Sequence, residues 1–209
     1  MTRVLSVGPG APDPDDVSEA SDVLLLGGVV VIPTDTVYGL AASAWNDEAV
    51  DRLFALKGRD RGKPIAVFIL DLAFASGLVG EAAPEAVRLA ARHWPGPVTL
   101  VVPAGPEAPP LLSAGTGSIG LRSPDHAFCR ALLERSGPLA VTSANRSGEP
   151  PPRTAAEAVR GLLGPLDLVV DQGELPPGLP STVVRVDAAG ATVLRQGSVR
   201  VPAGKRAPA

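Results

Sequence analysis

The stretch Gly27-Gly28-Val29-Val30-Val31-Ile32-Pro33-Thr34-Asp35-Thr36-Val37-Tyr38-Gly39-Leu40 decides how the fold is read. Four β-branched residues after a glycine pair read as a buried strand. Hydroxyl and carboxyl side chains (Thr34, Asp35, Thr36) follow at once, and α/β sheets take their ligands at strand ends. The same residues also fit a plain turn and cap, so spacing alone leaves both readings open. Tyr38, the only tyrosine, fits packing as well as function.

Working outward, strand and helix patterns alternate. Residues 15–26 read as a helix. Asn46 caps another with Ala49, Val50, Leu53 and Phe54 on one face and Gly58 as its stop. Residues 65–70 are an apolar strand, and Pro84 opens a helix to His93. Strands follow at 98–102, 118–121, 139–142 and 168–170. Helices are expected at 124–135 and from the Thr154 cap to about 163. Two late strands, 182–186 and 191–194, flank Asp187-Ala188-Ala189-Gly190 as an antiparallel hairpin. Residues 199–209 read as a loose tail. The expected architecture is a single α/β domain over residues 1–198, with an open mixed sheet flanked by helices.

Composition narrows the function classes. Of 209 residues, 45% are hydrophobic and 20% charged, the balance of a chain that folds. Aromatics are only 3%, so aliphatic side chains must fill the core. A net charge of -3 argues against coating nucleic acid through charge alone. One cysteine excludes an internal disulfide. No apolar run approaches the roughly 20 residues of a membrane span, and a cytoplasmic location is expected. His93 and His126 lack metal-ligand spacing, and no metal ligands are assigned. Cys129 beside Phe128 and Leu132 reads as a core thiol.

Further stretches could carry chemistry. Lys57-Gly58-Arg59-Asp60-Arg61-Gly62-Lys63-Pro64 places four cations in seven residues, which suits a polyphosphate, although it fails the Walker A pattern by one residue between its glycines. Only 3 of the 19 basic residues are lysines, and two of them fall here. Arg122 ends a strand in Gly120-Leu121-Arg122-Ser123-Pro124, where it can grip a carboxylate in a fork or pair with Asp125 on the surface. Val141-Thr142-Ser143-Ala144-Asn145-Arg146-Ser147-Gly148 crowds hydroxyl and amide groups suited to phosphate, ribose or a base. Ser181-Thr182-Val183-Val184 and Leu194-Arg195-Gln196-Gly197 are weaker signals.

Taken in order, and with His93-Trp94-Pro95-Gly96-Pro97-Val98-Thr99, these motifs make the chain resemble the YrdC/Sua5 family of L-threonylcarbamoyladenylate synthases from about Val29 to Ser198, in the short single-domain form. The resemblance implies an open twisted sheet and a nucleotidyltransfer: L-threonine, bicarbonate and ATP become threonylcarbamoyl-adenylate and pyrophosphate, for N6-threonylcarbamoyladenosine at position 37 of tRNA. By matching motif positions, Thr36, Arg122 and Ser181 would hold threonine. Arg59, Lys63, Ser118, Val141 (through its backbone), Ser143 and Arg195 would contact ATP, with Asn145 supporting the nucleotide loop. Lys57 and Arg59 would carry catalysis at the phosphates, with Mg²⁺ accompanying ATP and no protein nucleophile. Phe68 stands where members often carry His or Asn, and offers only packing. Implied partners are downstream tRNA threonylcarbamoyltransferase proteins and tRNA itself, with no membrane.

Two rival readings remain at this level. One is a double-stranded RNA- or tRNA-binding module of the same fold without synthase activity, weakened by the net charge and the scarcity of aromatics. The other is the related domain of the carbamoyltransferases that mature hydrogenases, which carry zinc-finger cysteines that this chain lacks. Fold resemblance alone does not separate them.

Overall fold

In the computed structural model, which describes residues 2–80, 83–188 and 190–201, the β-branched run becomes strand β2 (Val30–Ile32), with β1 (Arg3–Ser6) and helix α1 (Pro14–Leu25) before it. The polar turn then leads straight into β3 (Gly39–Ser43) and α2 (Asp47–Lys57). Next come β4 (Ala66–Phe68), α3 (Pro84–His93), β5 (Val98–Pro103) and the short α4 (Pro110–Ser113). β6 (Ser118–Arg122), α5 (Ala127–Ser136), β7 (Leu139–Ser143) and α6 (Ala155–Gly161) follow. β8 (Leu168–Asp171) and the hairpin of β9 (Thr182–Asp187) and β10 (Gly190–Arg195) complete the described chain.

All the strands join one mixed sheet in the order β1-β8-β2-β3-β7-β4-β6-β5-β9-β10. Four pairs are parallel (β1 with β8, β8 with β2, β4 with β6, β5 with β9), and the others, such as β3 with β7 and β9 with β10, are antiparallel. Side chains alternate across each strand, so the two faces gather different residues. Val31, Leu40, Val67, Leu100, Leu121 and Val184 face one way and pack with α2, α3, α4 and α6. Val30, Ile32, Ala41, Phe68, Leu139 and Val170 face the other way and pack with α1 and α5. Those two helices cover the face from β1 to β7 and reach the Phe68 end of β4. The remaining part, over β4, β6, β5 and β9, is left open, and the candidate site forms there.

Local signals account for most boundaries. The Asn46 side chain accepts from the Ala49 amide at 2.9 Å and opens α2, and Gly58 ends it at φ 56°. Thr154 and Glu157 form a reciprocal capping box on α6. Three expectations are corrected. The helix read from Pro124 starts at Ala127, with Pro124 to His126 extended into it as a non-helical lead. Strand β3 goes unread in the sequence because Gly39, Ala41 and Ala42 carry no strand preference; its place between β2 and β7 is what makes it a strand. The tail read from residue 199 is docked for its first three residues: the Val199 carbonyl accepts from Thr182 Oγ1 at 2.6 Å, and Val201 is buried. The rest of that tail, and Ala189 of the hairpin turn, lie outside the described residues.

Candidate active site

The open part of the sheet floors a cavity of about 880 Å³. Alternate residues of five strands face it: Ala66 and Phe68, Thr99 and Val101, Ser118, Gly120 and Arg122, Val141 and Ser143, Val183 and Arg185. Small side chains at Ala66 and Gly120, which pair across β4 and β6, keep the floor low. The turn after β2, the 143–151 loop and the end of β10 form the walls.

At one end, the Thr34-Asp35-Thr36 turn builds an oriented network. Thr34 Oγ1 donates to the Val37 carbonyl at 2.7 Å and accepts from the Thr36 and Val37 amides. Thr36 Oγ1 lies 3.1 Å from Thr34 Oγ1 and accepts from Arg122 Nη1 at 3.1 Å. Arg122 is 5% exposed and also donates from Nε to the Gly96 carbonyl at 3.2 Å and from Nη2 to Asp35 Oδ1 at 2.6 Å. The Phe68 ring lies under the guanidinium, 5.3 Å from centroid to carbon, a cation–π arrangement. The surface pairing of Arg122 with Asp125 that the sequence left open is thus replaced by a buried pair with Asp35. A guanidinium carries five N–H groups. Three are engaged here, so two remain for a ligand.

Ser181 Oγ lies 2.8 Å from Thr99 Oγ1, and its carbonyl accepts from Arg195 Nε and Nη2 at 3.2 and 2.9 Å. That contact needs Gly197, where a Cβ would meet the Pro180 carbonyl oxygen at 2.1 Å. Arg59 enters from just after α2, donating to the Pro64 carbonyl at 2.9 Å, while its Nε is buried without a partner among the described residues. Burial and the charge of Arg195 lower the pKa of Arg59; burial and the charge of Arg122 lower that of Arg195. The arginines therefore repel one another across a partly dehydrated space. Glu149, on the loop wall, is the one carboxylate among the lining residues. Such a cavity is preorganised for an anion.

Of the residues singled out from sequence, Thr36, Arg59, Ser118, Arg122, Val141, Ser143, Asn145, Ser181 and Arg195 all line this cavity. Lys57 and Lys63 do not. Lys57 is 2% exposed, and its ammonium donates to the Ser143 carbonyl, to the Asn145 carbonyl at 2.6 Å and to Asn145 Oδ1 at 3.4 Å. Three acceptors match its three N–H donors, so nothing is left for a phosphate, and the expected phosphate contact is corrected to a loop anchor. Burial, with the nearby Arg59 charge, pulls its pKa down to about 8. Asn145 Nδ2 closes the same loop on the Arg146 and Glu149 carbonyls at 2.9 and 2.7 Å. Lys63 is exposed on the turn before β4, outside the cavity lining.

The sequence pointed to the Thr34-Asp35 turn, but its motifs gave no sign that Thr99, Thr116, Glu149 and Arg185 line the cavity. Thr99 and Arg185 could have been found from alternation, since each interrupts an apolar strand at a position facing away from the core. The pairing of Asp35 with Arg122 had no such signal, because the two lie 87 residues apart. Cys129 donates to the Pro33 carbonyl at 3.1 Å and burial raises its pKa, as suits a core thiol.

The family model for Sua5, YciO and YrdC proteins, described as telomere recombination, matches residues 22–197. A threonylcarbamoyl-AMP synthase of Bacillus subtilis (strain 168) is 38% identical over 185 residues, which is 88% of this chain and 54% of that protein. The crystal structure of P. abyssi Sua5 complexed with L-threonine matches with a TM-score of 0.89 at 34% identity, over 94% of this chain and 58% of that one. E. coli YciO matches with a TM-score of 0.85 at 26% identity, over 94% and 96% of the two chains. The chain spans about half the length of the synthase relatives from B. subtilis and Pyrococcus abyssi.

Proposed function

Because the chain belongs to the Sua5–YciO–YrdC family, we propose that it is a threonylcarbamoyl-AMP synthase acting in the cavity over β4, β6, β5 and β9. The observation that carries this reading is the pairing, in one cavity, of a fixed Arg122 guanidinium with two unused donors and two further arginines, Arg59 and Arg195. The first suits an amino-acid carboxylate and the second a polyphosphate. A volume of about 880 Å³ lies within the roughly 300–1,000 Å³ of small-molecule sites and can take both ligands together.

In this reading Arg122 grips the threonine carboxylate, with Thr36 and Ser181 adding polar contacts and Phe68 an apolar wall. Arg59, Arg195, Ser118, Ser143 and the Val141 backbone receive ATP, and Lys63 reaches in from the rim. Lys57 and Asn145 hold the 143–149 loop that presents Ser143. The threonine amine, in its unprotonated form, attacks the carbon of bicarbonate, and water leaves as the carbamate forms. A carbamate oxygen then attacks the α-phosphorus, and the bond to the leaving pyrophosphate breaks. Negative charge grows on phosphoryl oxygens, so arginine electrostatics and positioning supply the acceleration. Mg²⁺ bound with ATP would offset charge on the phosphates, and Glu149, the one carboxylate lining the cavity, would be its candidate protein ligand. The product would pass to proteins that transfer the threonylcarbamoyl group to tRNA. The test is pyrophosphate release with each substrate omitted in turn: release should require ATP, threonine and bicarbonate together. Full-rate release without threonine would refute the synthase reading.

A further inference from the structure

Arg122 is fixed by three anchors of unequal kind. The Gly96 carbonyl and Thr36 Oγ1 are neutral acceptors at 3.2 and 3.1 Å, whereas Asp35 Oδ1 is a charged one at 2.6 Å. Asp35 and Gly96 bind different nitrogens, Nη2 and Nε, and two separated points fix the plane of a guanidinium where one would let it rotate. The Phe68 ring supports that plane from one side. Both members of the ion pair are nearly dehydrated, at 5% and 11% side-chain exposure. Asp35 Oδ2 is buried with no hydrogen-bond partner among the described residues. Asp35 is absent from the cavity lining, so it reaches a ligand only through its partner.

We infer that Asp35 is a positioning residue for the amino-acid substrate, its carboxylate fixing the Arg122 guanidinium so that one unused N–H on each Nη is presented to the incoming carboxylate. The inference rests on the proposed synthase reading and extends it from the groups that touch substrate to the one that orients them. A buried cation with a loosened partner can still attract an anion, but it no longer meets it with two aligned bonds. The effect should therefore fall on amino-acid recognition and leave the nucleotide end alone.

The experiment is a double-mutant cycle of Asp35→Asn and Arg122→Lys, reading threonine KM, ATP Kd and Tm for all four proteins. Asp35→Asn keeps one acceptor oxygen for Nη2 but removes the charge and puts an amide NH₂ where Oδ2 has no acceptor. Threonine KM should rise at least about tenfold with ATP affinity not weakened. On the Arg122→Lys background the same change should add less than about twofold, because the fork it orients is gone. Wild-type threonine KM in folded Asp35→Asn, or an equal rise on both backgrounds, would overturn the inference. If Asp35→Asn does not fold, Asp35→Glu replaces it in the cycle: it keeps the charge but displaces the carboxylate, and the same criteria apply. A wild-type protein without threonine-dependent pyrophosphate release would instead refute the synthase reading, so the two failures are distinguishable.

Discussion

Lys57 and Arg122 are both buried cations, and what separates their roles is how many donors each has left. Lys57 spends all three on loop carbonyls and the Asn145 amide oxygen, whereas Arg122 keeps two of five. Lys57→Met should therefore act as a stability variant as well as a functional one. Stranding buried acceptors costs about 1–3 kcal/mol, or a Tm lower by roughly 2–12 °C for a chain of this size, together with weaker ATP binding as the Ser143 loop loosens. A wild-type Tm with lost ATP affinity would restore Lys57 to the phosphates. Arg122→Lys keeps the charge and loses the fork, so it should raise threonine KM about tenfold, worth roughly 1.4 kcal/mol, while leaving ATP affinity unchanged. Arg59→Ala should do the reverse and weaken ATP binding by about 10- to 150-fold, the worth of one charge-assisted contact. Equilibrium binding of ATP and initial rates against threonine check the pair. At this scale the sequence showed which residue types gather at the site, because hydroxyls, amides and arginines cluster in short stretches. It could not show donor accounting. Whether Lys57 faces a phosphate or a carbonyl depends on Ser143 and Asn145, nearly ninety residues away.

Among the elements, α2 links stability to the site: its N-terminus is capped by Asn46 and its last residue is Lys57. Asn46→Ala removes the acceptor for the Ala49 amide and should cost about 1 kcal/mol, a drop of roughly 2–4 °C in Tm. Pyrophosphate release well below that Tm should stay at the wild-type level, since the cap lies at the far end of the helix from Lys57. Thermal unfolding and the rate assay decide this together. Helices α2, α3 and α6 were legible because caps, prolines and apolar spacing act locally. Strand β3 was not, since Gly39-Leu40-Ala41-Ala42-Ser43 has no local preference and is held by β2 and β7. The start of α5 was misread for a related reason: Pro124 can open a helix, but here it continues the extended lead out of β6.

At the scale of the whole molecule, the site is the part of a sheet face that helices leave uncovered. α1 and α5 pack over the β1-to-β7 part of that face, and the strands beyond turn Thr99, Ser118, Gly120, Arg122, Val183 and Arg185 toward the opening. The sequence carried the alternation within each strand. It did not carry the strand order, which sets β4 beside β7 and β5 beside β9 and so brings Arg122, Ser143, Ser181 and Arg195 to one cavity. No helix among the described residues is long and apolar enough to cross a membrane. In the proposed reaction, this cavity joins N-carboxylated threonine to the α-phosphate of ATP. Mass spectrometry of a reaction with isotopically labelled bicarbonate tests it most directly. The expected product is a threonylcarbamoyl-adenylate carrying the label, formed in step with pyrophosphate and reduced about tenfold in Arg122→Lys at low threonine. Pyrophosphate release that yields only AMP, or an adenylate without the label, would contradict it.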